Sequence, residues 1–237
     1  MKKLIVILIA VFSVYLFVVN ESARTEAVKE IEKIQEEVSN TGGGNSETDQ
    51  SNDKSTKYTS EEISYFNEIA RSNEYSDQDK GLVCKWESDV NIFVTGEKPS
   101  ELISELNKVV GELNDIIDPI NINIVNNKSD ANFIVCFGSQ EDYHNVAPSA
   151  VKYTENNWGL FMVNTGKVIR RGSMYVDIYR CTELDAQKHL LREELTQSLG
   201  LFNDSYKYEN SIFQQRWTTT TEYADIDKKI IQILYNN

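Results

Sequence analysis

Between Thr41 and Thr56 the chain holds no Val, Ile, Leu or aromatic residue and carries three consecutive glycines, Gly42, Gly43 and Gly44. A stretch of that kind cannot bury enough apolar surface to offset the entropy of ordering it. A core must therefore be built from sequence on one side of it. The chain is 237 residues with 40% hydrophobic content, which suits one ordinary core plus extra segments. The resulting division is a disordered linker at 39–58 and one folded domain at 59–237.

The segment before the linker sets the compartment. Lys2 and Lys3 precede an apolar run from Leu4 to Val19, broken only by Ser13 and Tyr15, that would span about 24 Å as a helix. Asn20-Glu21-Ser22-Ala23-Arg24 follows without a small-x-small cleavage site, and no lipoprotein cysteine is present. Residues 1–20 therefore read as an uncleaved signal anchor, the alternative being a cleaved signal peptide. With the cationic end first, residues 1–3 are expected in the cytoplasm and the domain outside it, as a single-pass protein held in the cell membrane through residues 4–19. Cleavage would make it secreted. Residues 21–38 space Val28, Ile31, Ile34 and Val38 at helical intervals among Glu and Lys, the pattern of an amphipathic stalk helix.

Charge excludes one class of partner. Lys and Arg number 24 against 37 Asp and Glu, a formal charge of -13, which repels phosphate backbones and leaves no basic stripe, so no nucleic acid partner is expected. Cys84, Cys136 and Cys181 share no zinc-knuckle spacing. A Cys84–Cys181 bridge is conceivable outside the cell, and Cys136 belongs to an apolar strand.

Within 59–237 the hydrophobic periodicity alternates between strand and helix. Thr59 and Glu62 form a capping box for a helix with Ile63, Phe66 and Ile69. Val90, Ile92 and Val94 alternate as a strand. Pro99 then launches a long helix with Leu102, Leu106, Val109, Val110 and Leu113. Ile120, Ile122 and Ile124 read as a half-exposed strand and Ala131 to Phe137 as a central one. Leu160–Val163 and Lys167–Ile169 around Asn164-Thr165-Gly166 suggest a hairpin, and Met174–Ile178 a further strand. A helix over about 182–200 ends at Gly200, an anchor-poor irregular stretch runs from Phe202 to about Tyr223, and a final helix carries Ile226, Ile230, Ile231, Ile233 and Leu234. The expected fold class is α+β, a mixed β-sheet with packing helices and a small irregular C-terminal lobe ending in a helix.

The helix over 182–200 carries the chemistry. Leu184, Leu191, Leu195 and Leu199 share one face expected against the sheet, while Glu193, Glu194 and Gln197 lie on another, flanked by Leu190 and Leu201. His189 is one turn before Glu193 on the same side. Carboxylates so flanked are partly buried and need backbone amides, a cation or a metal to compensate them.

The run Arg192-Glu193-Glu194-Leu195-Thr196-Gln197-Ser198-Leu199-Gly200-Leu201-Phe202-Asn203-Asp204-Ser205 resembles the signature of a bacterial family, domain of unknown function 2927 (DUF2927). Further similar positions are Tyr65–Ala70, Lys85-Trp86, Ala131-Asn132, Ser211-Ile212-Phe213 and Asp227 through Leu234-Tyr235. That family in turn resembles the metzincin clan of zinc peptidases, whose motif is His-Glu-x-x-His-x-x-Gly-x-x-His/Asp. In that register the resemblance places Glu194 at the catalytic Glu and Gly200 at the turn Gly. Glu193, Gln197 and Asn203 stand where zinc ligands would be, and Phe213 stands near the Met of the Met-turn. It implies a zincin-like fold with degenerate zinc ligands.

Both ligand histidines are missing, and a Gln amide is a poor substitute for imidazole. Standard zinc catalysis is therefore expected to be absent, with no metal or cofactor. Glu193, Gln197, Asn203 and Asp204 form an oxygen-donor set that would suit a hard cation such as Ca²⁺ if they held one. Two other readings stand beside that one: side chains that hydrogen-bond the following loop into place, or a metal-free acid/base or ligand-binding cleft around Glu194. The leading function is a membrane-tethered extracytoplasmic binding or scaffolding module at the cell envelope. The alternative is a peptidase-like hydrolase using Glu194 as general base with a non-standard metal or none. His144 reads as a surface loop residue. Trp86, Trp158 and Trp217 are packing residues or the lining of a groove for a peptide or cell-envelope ligand.

Overall fold

The computed structural model describes residues 57–71, 83–164 and 166–236. The expected membrane segment, stalk helix and most of the linker lie outside the described residues. Among the described residues no helix is long and apolar enough to cross a membrane. Tyr58, the last residue assigned to the linker, is buried and packs in the core.

Helix α1 (Ser60–Arg71) opens the domain, and its capping box forms as expected. Thr59 N–H donates to Glu62 Oε2 at 2.7 Å and Glu62 N–H to Thr59 Oγ1 at 3.2 Å, satisfying two orphan donors of the first turn. Strand β1 (Lys85–Trp86) precedes β2 (Val90–Gly96), α2 (Ser100–Ile116) and β3 (Ile122–Ile124). Then come β4 (Phe133–Gly138), α3 (Gln140–Val146), the one-turn α4 (Val151–Thr154) and β5 (Gly159–Val163). The chain ends with β6 (Val168–Ile169), β7 (Gly172–Asp177), α5 (Leu184–Gln197) and α6 (Asp225–Tyr235).

Five strands form a mixed sheet in the order β3-β2-β4-β7-β5, all parallel except β5, which runs antiparallel to β7. The apolar run that predicted a central strand is central: β4 lies between β2 and β7. Alternation along these strands feeds two cores, as a period of two demands. Phe133, Val135 and Phe137 of β4 and Met174 and Val176 of β7 join the large core with residues of α1, α2, α5 and α6. Cys136 and Tyr175 point the other way, into a smaller cluster with Tyr143, Ala150 and Leu160. The sheet is thus covered on both faces.

Five readings of the sequence are corrected. The hairpin partner of β5 is β7, with Gly159 opposite Val176 and Val163 opposite Gly172, while β6 pairs in parallel with β1, Trp86 opposite Ile169. Ile169 is fully buried in the large core, so swinging this short strand away from β5 removes its side chain from water. Asn164 sets the turn: its Oδ1 accepts from the N–H groups of Arg170 (2.7 Å) and Arg171 (2.9 Å). The 202–223 stretch, expected to be poor in anchors, is irregular but buries Ile212, Phe213 and Tyr223. Leu184, expected on the packed face of α5, is 39% exposed. His144 lies on α3, half-buried, with Nε2 at 2.7 Å from Thr154 Oγ1. The cysteines are buried thiols, so the Cys84–Cys181 bridge is not formed.

Candidate functional site

Helix α5 is held at both its middle and its end. Arg192 is fully buried, yet its guanidinium pairs with Glu105 of α2 at 2.9 Å and with Glu112 of the same helix. It also lies 4.5 Å over the ring of Tyr223, whose hydroxyl is 2.7 Å from Thr196 Oγ1. Beyond the last turn, Trp86 Nε1–H donates to the Ser198 carbonyl at 3.0 Å and Tyr235 O–H to the Leu199 carbonyl at 2.7 Å. These side chains satisfy carbonyls that the helix end leaves without intrahelical partners. Gly200 follows with φ of 125°, where a Cβ would stand 2.0 Å from the Cys84 carbonyl oxygen. Both the backbone angle and the close approach require glycine at this turn.

The expected site residues separate into distinct environments. Glu194 is 8% exposed and turned against the terminal strand β5, not away from the sheet: a Cβ on Gly159 would meet its Oε1 at 2.7 Å and Leu190 Cδ2 at 2.9 Å. The missing side chain of Gly159 makes the room that this carboxyl occupies. Burial, and after it the charges of Glu193 and Asp204, push the Glu194 carboxyl well above the ordinary range, while the Phe161 backbone N–H works in the opposite direction. Among the described residues no cation lies within ion-pair distance of it.

Glu193 faces His189 across one turn, with Oε2 at 3.4 Å from Nε2. Gln197 is buried and its Nε2 donates to Asp204 Oδ1 at 2.6 Å. Asn203 points elsewhere: its Nδ2 donates to the Ile69 carbonyl at 2.7 Å, and its backbone N–H reaches the same oxygen at 3.2 Å. That contact fastens the loop to the end of α1. The Asn203 Oδ1 is buried without a hydrogen-bond partner. Glu193 and Gln197 therefore do not share the task of bonding the following turn; Gln197 alone reaches it, through a side chain.

This set does not fit zinc. A zinc site needs thiolate, imidazole or carboxylate donors converging on one point. Here the Gln197 amide is spent on Asp204, Asn203 is turned to Ile69 and Glu193 to His189. Among the described residues no group of three or more His, Cys, Asp or Glu side chains is placed to hold a metal ion.

Aromatic residues stand on either side of Gly159 in the chain. Trp158, immediately before β5, meets Trp217 edge to face at 5.9 Å between ring centroids, and Phe161 of β5 stacks on Phe202 at 5.6 Å. Trp217 is 53% exposed. Trp86, by contrast, is fully in the core. β5 ends the strand order, so its outer edge pairs with no strand among the described residues.

Three participants escaped the sequence reading. Arg192 carried a signal only in being a charged residue inside a leucine-rich helix. Gly159 stands just before the strand read at Leu160–Val163 and carries no signal of its own. Asp227 was singled out only as a similar position; it is fully buried and accepts from Ser211 Oγ at 2.6 Å, Ala224 N–H at 2.9 Å and Ile212 N–H at 3.0 Å. It binds the 211–213 loop to the first turn of α6. Burial pushes its carboxyl upward despite those donors.

Among curated proteins none matches this chain. Two solved structures of myroilysin are similar to it. One has 13% identity and a TM-score of 0.39, covering 64% of this chain and 82% of that one. The other has 11% identity and a TM-score of 0.42, covering 73% and 93%. The model of the family described as protein of unknown function (DUF2927) matches residues 59–237, the whole of the domain that carries α5 and its polar face. The chain belongs to the DUF2927 family.

Proposed function

We propose that this protein is a membrane-tethered, extracytoplasmic, zincin-like module that binds an extended peptide or another cell-envelope ligand along the outer edge of β5 without zinc-dependent peptide hydrolysis. The observation that carries this reading is the environment of Glu194. The carboxyl is sunk beside Gly159 of an edge strand, and Phe161 of that strand and Trp158 just before it stack on Phe202 and meet Trp217. Edge strands accept extended peptides through main-chain hydrogen bonds, and aromatic faces add contact area at low entropic cost. The three positions that would ligate zinc in the metzincin register are engaged within the protein. The apolar segment at 4–19 supports the tether.

A second reading is favoured by one observation, the raised carboxyl of Glu194. A carboxyl made more basic by burial is better suited to take up a proton, as a hydrolase using Glu194 as general base would require.

One experiment separates them. The purified chain is assayed for bound metal by elemental analysis, then offered an array of extended peptides and cell-wall fragments. Binding that Trp217→Ala weakens, with no turnover and no stoichiometric metal, supports the binding module. Turnover abolished by Glu194→Gln transfers the assignment to the hydrolase. An array without any bound or cleaved member overturns the ligand class proposed here.

A further inference from the structure

Arg180 lies just past the end of β7, and its guanidinium is turned back over the segment that leads into β5. Its Nε–H donates to Asp177 Oδ2 at 2.6 Å. Nη1–H donates to the Glu155 carbonyl at 2.8 Å, and Nη2 reaches the carbonyls of Thr154 at 2.9 Å and Asn157 at 3.1 Å. The same Nη2 lies 3.1 Å from the Tyr175 hydroxyl, which itself donates to the Asn157 carbonyl. Three carbonyls at and beyond the end of α4 thus converge on one side chain. A helix end leaves such carbonyls without intrahelical partners, and a cation is favoured there.

Asp177 fixes the other half of the arrangement. It is the last residue of β7, 1% exposed, and its Oδ1 accepts the N–H groups of Tyr179 at 3.1 Å and Arg180 at 2.9 Å. Its own N–H donates to the Trp158 carbonyl at 2.7 Å, one residue beyond the pairing of Gly159 with Val176. The carbonyls of residues 154, 155, 157 and 158 are therefore all held by Asp177 and Arg180. Residues 155–157 belong to no helix or strand. The path by which the chain delivers Trp158 to the start of β5 is accordingly set by these side-chain contacts. At the end of that path the Trp158 ring meets Trp217, the exposed partner, edge to face.

We propose that Arg180, oriented by Asp177, is the positioning residue of the Trp158–Trp217 face. Its planar fork sends donors in several fixed directions at once, toward a carboxylate on one side and toward carbonyls on the other. A lysine presents its donors from a single nitrogen and cannot hold Asp177 and three separated carbonyls together. Recognition surfaces depend on side chains locked by the hydrogen bonds behind them, so a slack 154–157 segment lets the Trp158 ring leave its place against Trp217. The part Arg180 plays in ligand recognition rests on the binding reading above; its control of the aromatic pair does not, and the test needs no ligand.

Two indoles in contact at an angle couple their electronic transitions, and the full chain has only three tryptophans. The Trp158–Trp217 couplet in far-ultraviolet circular dichroism is therefore the part of the spectrum that disappears in both Trp158→Phe and Trp217→Phe. Arg180→Lys should lose most of that couplet below its melting transition while the rest of the spectrum keeps its helix and strand content. Arg180→Ala should lose it as well and regain it when millimolar guanidinium, but not ammonium, is added. A side chain that only adds stability would lower the melting temperature and leave the couplet of the folded chain untouched; that result, or full rescue by lysine, would overturn the proposal. Should Arg180→Lys fail to fold, Tyr175→Phe carries the test, because it keeps the ring and removes only the hydroxyl between Arg180 and the Asn157 carbonyl. A weakened couplet then supports the proposal and an unchanged one overturns it. Failure to bind any peptide or cell-wall fragment would count against the proposed function and leave the positioning role intact.

Discussion

Glu194 and Gly200 show at single-residue scale how position outweighs residue type. An acid whose folded-state value is raised by burial destabilises the fold as pH rises above its unfolded value. Because its folded value is raised, the penalty is absent below the unfolded carboxyl value of about 4.3 and grows as pH rises. Glu194→Gln should therefore raise the melting temperature near pH 7 and leave it unchanged near pH 4, as thermal denaturation at the two pH values will show. Each kcal/mol relieved corresponds to about 2–4 °C for a domain of this size. Gly200→Ala should act in the opposite direction at every pH. A side chain there meets the Cys84 carbonyl and a backbone angle of 125°, and strain of that kind costs about 1–3 kcal/mol before the clash is counted. Chemical denaturation of the variant measures it.

Between elements, the buried ion cluster of Arg192 with Glu105 and Glu112 joins α5 to α2. Two charges taken out of water need one another, so removing one partner strands the rest. Arg192→Ala is expected to cost about 3–5 kcal/mol. Replacing Arg192 with Met and Glu105 with Leu together should recover much of that loss, because well-packed apolar side chains carry no desolvation penalty. A double-mutant cycle in urea tests the coupling; additive losses would show that the cluster does not act as a unit. The Tyr223 ring under the guanidinium belongs to the same cluster, which ties the irregular C-terminal lobe to the helix that carries Glu194.

For the whole molecule, the partition of apolar residues along the chain makes the predictions. Limited proteolysis should cut within 39–57 before it cuts within 60–235, since cleavage favours segments that bury nothing; early nicks in the folded part would move the domain boundary. The full chain should fractionate with membranes, its domain accessible to protease from outside in cells stripped of their wall. Recovery of a mature chain beginning near Ala23 or Arg24 from the medium would show cleavage instead. Chelator should leave the melting temperature of the chain unchanged, because the residues in the zinc register are engaged with His189, Asp204 and Ile69.

By itself the sequence determined most of the longer elements, though not the short helices α3 and α4 or the strand β1. Apolar alternation marked β2, a near-continuous apolar run marked β4, the segment Met174–Ile178 marked β7, three- and four-residue spacing marked α2 and α6, and Thr59 with Glu62 marked the start of α1, because these signals depend on neighbours within a few residues. It also located the polar face on α5 and the turn at Gly200. Only the tertiary structure decided what those side chains meet. The pairing of β6 with β1 and not β5, the room at Gly159 that admits Glu194, the turn of Asn203 toward Ile69 and the ion cluster of Arg192 all join residues far apart in the chain. A helical wheel gives the direction in which a side chain leaves its own helix. Whether it then meets water, a strand edge or an opposite charge is fixed by how the elements pack, and that packing sank Glu194 against β5 and set Glu193 opposite His189.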